Sequence, residues 1–359
     1  MTKKVIVDFK TKSDEKKICS LEQKSDSRIN YIDFLKFIGL LGIFIAHVDS
    51  PSWAMMLRSF DVPLMVILSA ILADRSFRKY ESQGSGAIKR FYFSRFKRLV
   101  IPTWFFLTLY FALDYLIIGK FHDVKYYVYS YCLTRYGIKY VWIILIYLYS
   151  ALLVPLYRKM SLSIKSIILV FCIYTIYEIA FAIYGKGNGI LGKIIYTSLY
   201  SIIPYGMVTF LGFNYYRMSK KLKITIMLSA LLFFVGMGVY YWYNLGSPQL
   251  VQIAKYPARI YYLSYGIFCS FALLLLCENH DMKIYQNLFI RWVSAHSMWV
   301  YLWHILALSA YSILKLPAIW YIKLIVVYGL AILAVYVLNK ILDYIEKKHE
   351  IGFLKYLRG

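Results

Sequence analysis

Acidic residues are scarce in this chain: 18 Asp and Glu stand against 42 Lys and Arg over 359 residues, a formal net charge of +24. Cysteine is scarce as well. The five present (Cys19, Cys132, Cys172, Cys269 and Cys277) include no CxxC pair, which removes the spacing of a zinc ribbon or a dithiol redox centre and leaves buried structural thiols as the expectation. None of the six histidines pairs with another at a metal-ligand spacing, so no metal site is expected. The amino-terminal segment MTKKVIVDFKTKSDEKKICSLEQKSDSR lacks the apolar core of a secretory signal and reads as a basic cytoplasmic tail over 1–30. There is no long soluble stretch, no internal repeat and no low-complexity run beyond local tyrosine enrichment.

What is abundant is apolar surface. The residues are 60% hydrophobic, mean hydropathy is positive, and several runs reach the roughly 20 residues needed to cross a bilayer. The expected fold is therefore an all-α, polytopic transmembrane helix bundle. About ten spans are expected, near 31–48, 56–73, 99–118, 139–157, 164–184, 194–214, 222–243, 259–277, 294–314 and 319–341. In a membrane protein the position of charge matters more than its sum, so the basic balance does not call for a nucleic-acid partner. With alternate connections on opposite sides, the side holding both termini carries 30 of the 42 Lys and Arg residues and the other side 11, with Lys36 inside the first span. That bias predicts cytoplasmic termini. The expected division is a tail over 1–30, a transmembrane domain over 31–341 and a second basic tail over 342–359.

Inside the first apolar run, DFLKFIGLLGIFIAH, stand Asp33, Lys36 and His47. Ionisable groups at a helix centre in a bilayer cost about 2.5–3.5 kcal/mol each, and less near its ends. At about 100° per residue all three fall on one stripe of the helix, as expected of a helix lining a polar cavity rather than one facing lipid. A histidine there suits a general base; its bland alternative is a polar packing residue at the interface.

The longest basic connection, DRSFRKYESQGSGAIKRFYFSRFKR, ends in a cluster containing Arg95 and Arg98 just before Pro102. Guanidinium groups chelate phosphate oxygens, so the cluster suits a phosphorylated ligand; its bland reading is an ordinary positive-inside flank. Pro102 reads as a helix-start proline. Glu178 and Asp114 sit in apolar surroundings, and either lines a cavity or neutralises a basic partner. In SMWVYLWH, Ser297, Tyr301 and His304 form another helical stripe. His122, His280, His296 and His349 read as loop or interfacial residues.

These segments, in order, resemble the membrane acyltransferase-3 family, and within it the branch of fucose and polysaccharide O-acetylases. DFLKFIGLLGIFIAH is similar to its opening element with Asp33, Lys36 and His47, lysine standing where arginine is more widespread. VPLMVILSAIL resembles its second element through Pro63 and Ser69, with Ala70 where the family has glycine. SRFKRLVIP matches its RxxR pair before proline, YPARIYYLSYG a Pro- and Tyr-rich element, and SMWVYLWH its late Ser-to-His element.

The resemblance implies acyl transfer, commonly of acetyl from acetyl-CoA, to a hydroxyl of an extracytoplasmic glycan or its lipid-linked precursor. Another acyl-CoA is an open alternative, and no permanently bound cofactor is implied. Some relatives add a soluble domain after the last span, whereas this chain ends about 18 residues past span ten. The expected site has His47 as catalytic base or transient acyl carrier, Asp33 orienting Lys36 one turn away, and Arg95, Arg98 and Lys36 at the donor phosphates. Ser69, Ser297, His304 and Glu178 are secondary lining candidates. Lys36 and His47 lie ~16 Å apart along an ideal helix, comparable with an extended pantetheine arm. The expected location is the bacterial cytoplasmic membrane, and oligomeric state is open. The rival reading is a glycan exporter or flippase, which would need no histidine stripe aligned with a basic pair.

Overall fold

The computed structural model describes residues 30–348, apart from 186, 188 and 318, together with 357. Residues 1–29 of the expected tail over 1–30, most of the terminal segment beyond 348, Cys19 and His349 lie outside the described residues. Among those described, helices follow one another with no strand: α1 (Asn30–Ile45), α2 (Ser52–Leu57), α3 (Asp61–Glu81), α4 (Ala87–Ile118), α5 (Val124–Tyr131), α6 (Trp142–Lys159), α7 (Ile164–Tyr184), α8 (Gly189–Thr197), α9 (Leu199–Asn214), α10 (Lys220–Leu245), α11 (Ile260–Asn279), α12 (Leu288–Ala295), α13 (Ser297–Ile313) and α14 (Trp320–Lys348).

Each of the ten expected spans coincides with a helix. Eight helical stretches are long and apolar enough to cross a membrane. The two that fall short are α1, of 16 residues, and α13, of 17, or about 24–26 Å at 1.5 Å per residue. They are also the helices that carry the histidine motifs. The chain is a polytopic helical bundle.

Helix α3 is the hub, packed against α1, α4, α6, α9 and α11. Three of these neighbours meet it with glycine, which lets backbones approach where the bilayer offers little hydrophobic drive to hold helices together. A Cβ at Gly212 of α9 would lie 2.6 Å from the carbonyl oxygen of Ile67, and one at Gly266 of α11 would lie 2.3 Å from Pro63. On α1, a Cβ at Gly42 would reach Asp61 at 3.0 Å. Ala70 is fully buried, and its Cβ would stand 3.0 Å from one at Gly212. The close approach at Ala70 is thus made by a glycine on the facing helix. Toward the other end of α3, Asp74 accepts from Arg78 and from Arg217, each at 2.8 Å, pinning it to the turn after α9.

The periphery is different. Of the most apolar window in each helix, 61% is buried in the α2–α3 stretch but only 11% in α10. Leu232, Phe233 and Tyr243 of α10 are turned outward, as they would be toward lipid. Two of the cysteines expected to be buried share that perimeter: Cys172 on α7 and Cys132 after α5 are exposed, while Cys277 is buried. An apolar sequence environment selected for lipid exposure here as well as for burial.

The basic connection before span three is mostly helix. It shrinks to the turn 82–86, where Gly84 and Gly86 adopt positive φ, and the cluster through Arg98 forms the first turns of α4. Pro102 is therefore interior to a 32-residue helix, not at its start. Its missing N–H leaves the Arg98 carbonyl without the usual helical donor, and next to it the Thr103 hydroxyl donates to the Leu99 carbonyl at 2.6 Å.

Candidate functional site

Helix α1 ends at Ile45, two residues before His47. The chain tightens into a turn in which the His47 N–H donates to the Phe44 carbonyl at 2.9 Å, so His47 is offset from the ideal stripe of Asp33 and Lys36. The offset brings it onto α13. His47 Nδ1 lies 2.9 Å from His304 Nε2, and the rings stack at 15° with centroids 5.1 Å apart.

The network fixes the tautomers. His304 Nδ1 meets the backbone carbonyl of Tyr301, an acceptor only, so the proton is on His304 Nδ1. Neutral His304 then accepts at Nε2 from His47 Nδ1–H, which leaves the lone pair of His47 on Nε2. A carbonyl and two imidazoles thus form a directed chain ending in a base. Tyr140 packs edge-on against His47 at 4.7 Å, and the Tyr301 hydroxyl donates to the Tyr140 carbonyl, closing the frame around the pair.

Below this pair lies a cavity of about 170 Å³ between α1, α3, α4, α6 and α13. Lys36, Ser69, Arg95, Ser297, Tyr147 and Tyr301 supply its polar lining, and no carboxylate joins them. Lys36 and Ile43, both lining α1, are ~10 Å apart along the helix axis. The histidines stand just past the cavity: Ile43 precedes His47 by one turn, and Tyr301 precedes His304 by one turn. A cavity with two cations in its lining and a histidine pair one turn beyond it suits a long ligand with an anionic head and a reactive tail.

Arg95 is half-buried, its guanidinium 5.1 Å from the Phe91 ring centre and its Nε buried without a hydrogen-bond partner. Lys36 Nζ donates to the Ser294 carbonyl at 2.7 Å, and the Ser294 hydroxyl donates to Asp33 at 2.7 Å. Asp33 and Lys36 therefore converge on one residue of α12, which holds the lysine side chain at the cavity. Ser294 carried no signal in the sequence; neither did Tyr140 or Tyr147.

Two expected site residues are elsewhere. Arg98 is exposed and does not line the cavity, although it follows Arg95 by about one turn of α4 and stands only about 60° from it around the axis. Glu178, on α7, does not line it either. Its carboxylate accepts from Arg259 Nε at 2.8 Å, the Ile260 N–H at 2.7 Å and the Tyr174 hydroxyl at 2.5 Å, tying α7 to the start of α11. Asp114 pairs with His122 at 2.6 Å on an exposed face. Among the described residues no three His, Cys, Asp or Glu side chains converge as metal ligands would.

Residues 29–340 match the model of the family described as "Acyltransferase domain", acyltransferase-3. The chain belongs to the acyltransferase-3 family. No curated protein and no solved structure matches it. As a membrane acyltransferase, the protein needs a binding space for an activated acyl group and a base for its acceptor. The cavity and the His47–His304 pair offer these two elements side by side, and nothing in the comparisons supports the exporter reading.

Proposed function

We propose that this acyltransferase is an O-acetyltransferase of the fucose and polysaccharide O-acetylase branch, acting at the bacterial cytoplasmic membrane with both termini in the cytoplasm. Acetyl-CoA enters from the cytoplasm, its phosphates against Arg95 and Lys36, and its pantetheine arm extends along α1 toward His47. The acceptor is a hydroxyl of a cell-surface glycan or of its lipid-linked precursor, approaching from the outer face.

His47 Nε2 takes the proton of the sugar hydroxyl as its oxygen attacks the thioester carbonyl. The His304–Tyr301 chain behind it stabilises the imidazolium that results. Collapse breaks the C–S bond, the imidazolium returns the proton to the leaving thiolate, and the ester and CoA thiol are formed. Direct transfer uses the one free histidine lone pair, on Nε2, and passes through no covalent intermediate.

The observation that carries this reading is the hydrogen-bonded His47–His304 pair at the end of a cavity whose far end holds Lys36 and Arg95. Its test is ester analysis of surface glycans from a deletion strain, beside the wild-type complement and a His47→Ala complement inserted at equal level. An acetyl ester lost on deletion, restored by the wild type and absent with His47→Ala is expected. Restoration by His47→Ala would overturn the assignment.

A further inference from the structure

A second cavity lies on the other side of the first turns of α6. Ile143, Ile144 and Tyr147 of that helix face the first cavity, whereas Trp142, Leu145 and Ile146 face the second, together with Arg135, Lys255, Tyr205 and Tyr256. Its room is about 20 Å³, enough for one or two water-sized groups. That admits a carboxylate or part of a phosphate, and leaves a sugar ring at the mouth.

The polar groups around it are left incomplete. Lys255 is only 4% exposed, and its ammonium has no hydrogen bond or carboxylate partner among the described residues, only the rings of Tyr256 and Tyr262 at 5.4 and 5.6 Å. Arg135 Nε is buried without a partner, and the buried Tyr205 hydroxyl has at most the Tyr262 hydroxyl beside it. Asp61, at the start of α3, is already engaged by Arg58 at 2.6 Å. No carboxylate lines the cavity. Burying a cation without a counter-charge is costly, and several orphaned polar groups around one space mark the footprint of a missing acceptor.

The rim is aromatic and cationic. Arg135 stacks 3.4 Å from the centre of the Tyr256 ring and donates to the Tyr196 hydroxyl at 3.1 Å, while Trp142 stands edge-on to Tyr256 at 5.5 Å. Tyr140, two residues before the cavity-lining Trp142, packs against His47 at 4.7 Å, which ties the cavity to the His47 end of the bundle.

We infer that this cavity is an acceptor subsite for an acidic sugar, whose carboxylate or phosphate seats on Lys255 beside Tyr205 while its ring lies at the mouth. The role as acceptor subsite rests on the proposed transferase function; the affinity for acidic sugars does not.

The test is equilibrium binding to the purified full-length protein, without any acyl-CoA, of methyl glucuronide, glucose 1-phosphate and neutral methyl glucoside. At least one acidic sugar should bind about tenfold more tightly than the neutral one or better, and the better of the two identifies carboxylate or phosphate as the acid recognised. Lys255→Met should remove that preference while keeping the neutral sugar's affinity and a thermal midpoint at or above wild type, since a buried unpaired charge is no stabiliser. Lys255→Arg should keep the preference. Equal binding of all three sugars, binding of none, a preference that survives Lys255→Met, or a Lys255→Met protein that melts earlier and loses every sugar alike would overturn the inference. Binding of acidic sugars by a protein that transfers no acyl group would leave the subsite standing and remove the function. Transfer to neutral glycans without any acid preference would do the reverse.

Discussion

His47 and His304, 257 residues apart in sequence, share a 2.9 Å hydrogen bond between Nδ1 and Nε2. The bond joins the turn after α1 to α13, and its direction is set by the Tyr301 carbonyl on the far side of His304. One imidazole therefore fixes the proton of the other and leaves its remaining lone pair on Nε2.

The two histidines should separate in mutagenesis. His47→Ala should lower kcat by about 10²–10⁴-fold, the usual contribution of a general base. His304→Ala should cost less, about 10²-fold, the scale of a catalytic group displaced by an ångström, with the KM for acyl-CoA unchanged and the pH–rate limb displaced because His47 loses its acceptor. Steady-state transfer by the purified variants measures both; equal losses with an unmoved pH profile would exclude the positioning role.

Arg95 and Arg98 should not behave alike. Arg95 lines the cavity and Arg98 is exposed. Arg95→Ala should raise the KM for acyl-CoA about 10- to 100-fold, the worth of a charged hydrogen bond or two, and Arg95→Lys should recover part of this because it keeps the charge without the fork. Arg98→Ala should stay near wild type. Acyl-CoA titrations of the three variants decide the matter.

Gly212→Ala should destabilise the bundle by about 1–3 kcal/mol, since its Cβ would press on the Ile67 carbonyl at 2.6 Å and on the Ile67 Cα at 2.8 Å, backbone atoms that cannot swing aside. A fall in the thermal midpoint of the detergent-solubilised protein is the expected readout. An unchanged midpoint would mean that α9 and α3 lie farther apart than described.

Glu178→Gln should also lower the midpoint, by an amount corresponding to about 1–3 kcal/mol, because Arg259 loses its carboxylate and the junction of α7 with α11 loosens. Its KM for acyl-CoA should remain that of the wild type. A donor-binding defect without a stability defect would return Glu178 to the site.

Much of the architecture was legible in the sequence because the bilayer imposes it. Each expected apolar run proved helical, and the costly polar positions in and just after α1 singled out Asp33, Lys36 and His47. Single-helix geometry could not report what crosses between helices. Nothing local to His47 reveals that its helix stops at Ile45, or that His304 receives its proton. Arg95 and Arg98 look equivalent as an RxxR pair, and only the packing of α4 turns one inward and the other out. Pro102 looked like a helix start because hydropathy falls away before residue 99, whereas the helix itself continues through the basic cluster. Lys255 gave no signal: a lysine in a Pro-containing loop is ordinary until its burial is seen.

The contrast between the glycine-packed hub and the lipid-facing rim also divides the chain by its tolerance of change. At α3 a single added methyl meets backbone, whereas on α7, α10 and α14 the surrounding solvent is hydrocarbon, which accepts almost any apolar side chain. Sequence drift among natural variants should therefore accumulate on the rim. The same freedom makes Cys172, exposed on α7, a ready attachment point for a spectroscopic label that would report on the bundle without disturbing its chemistry.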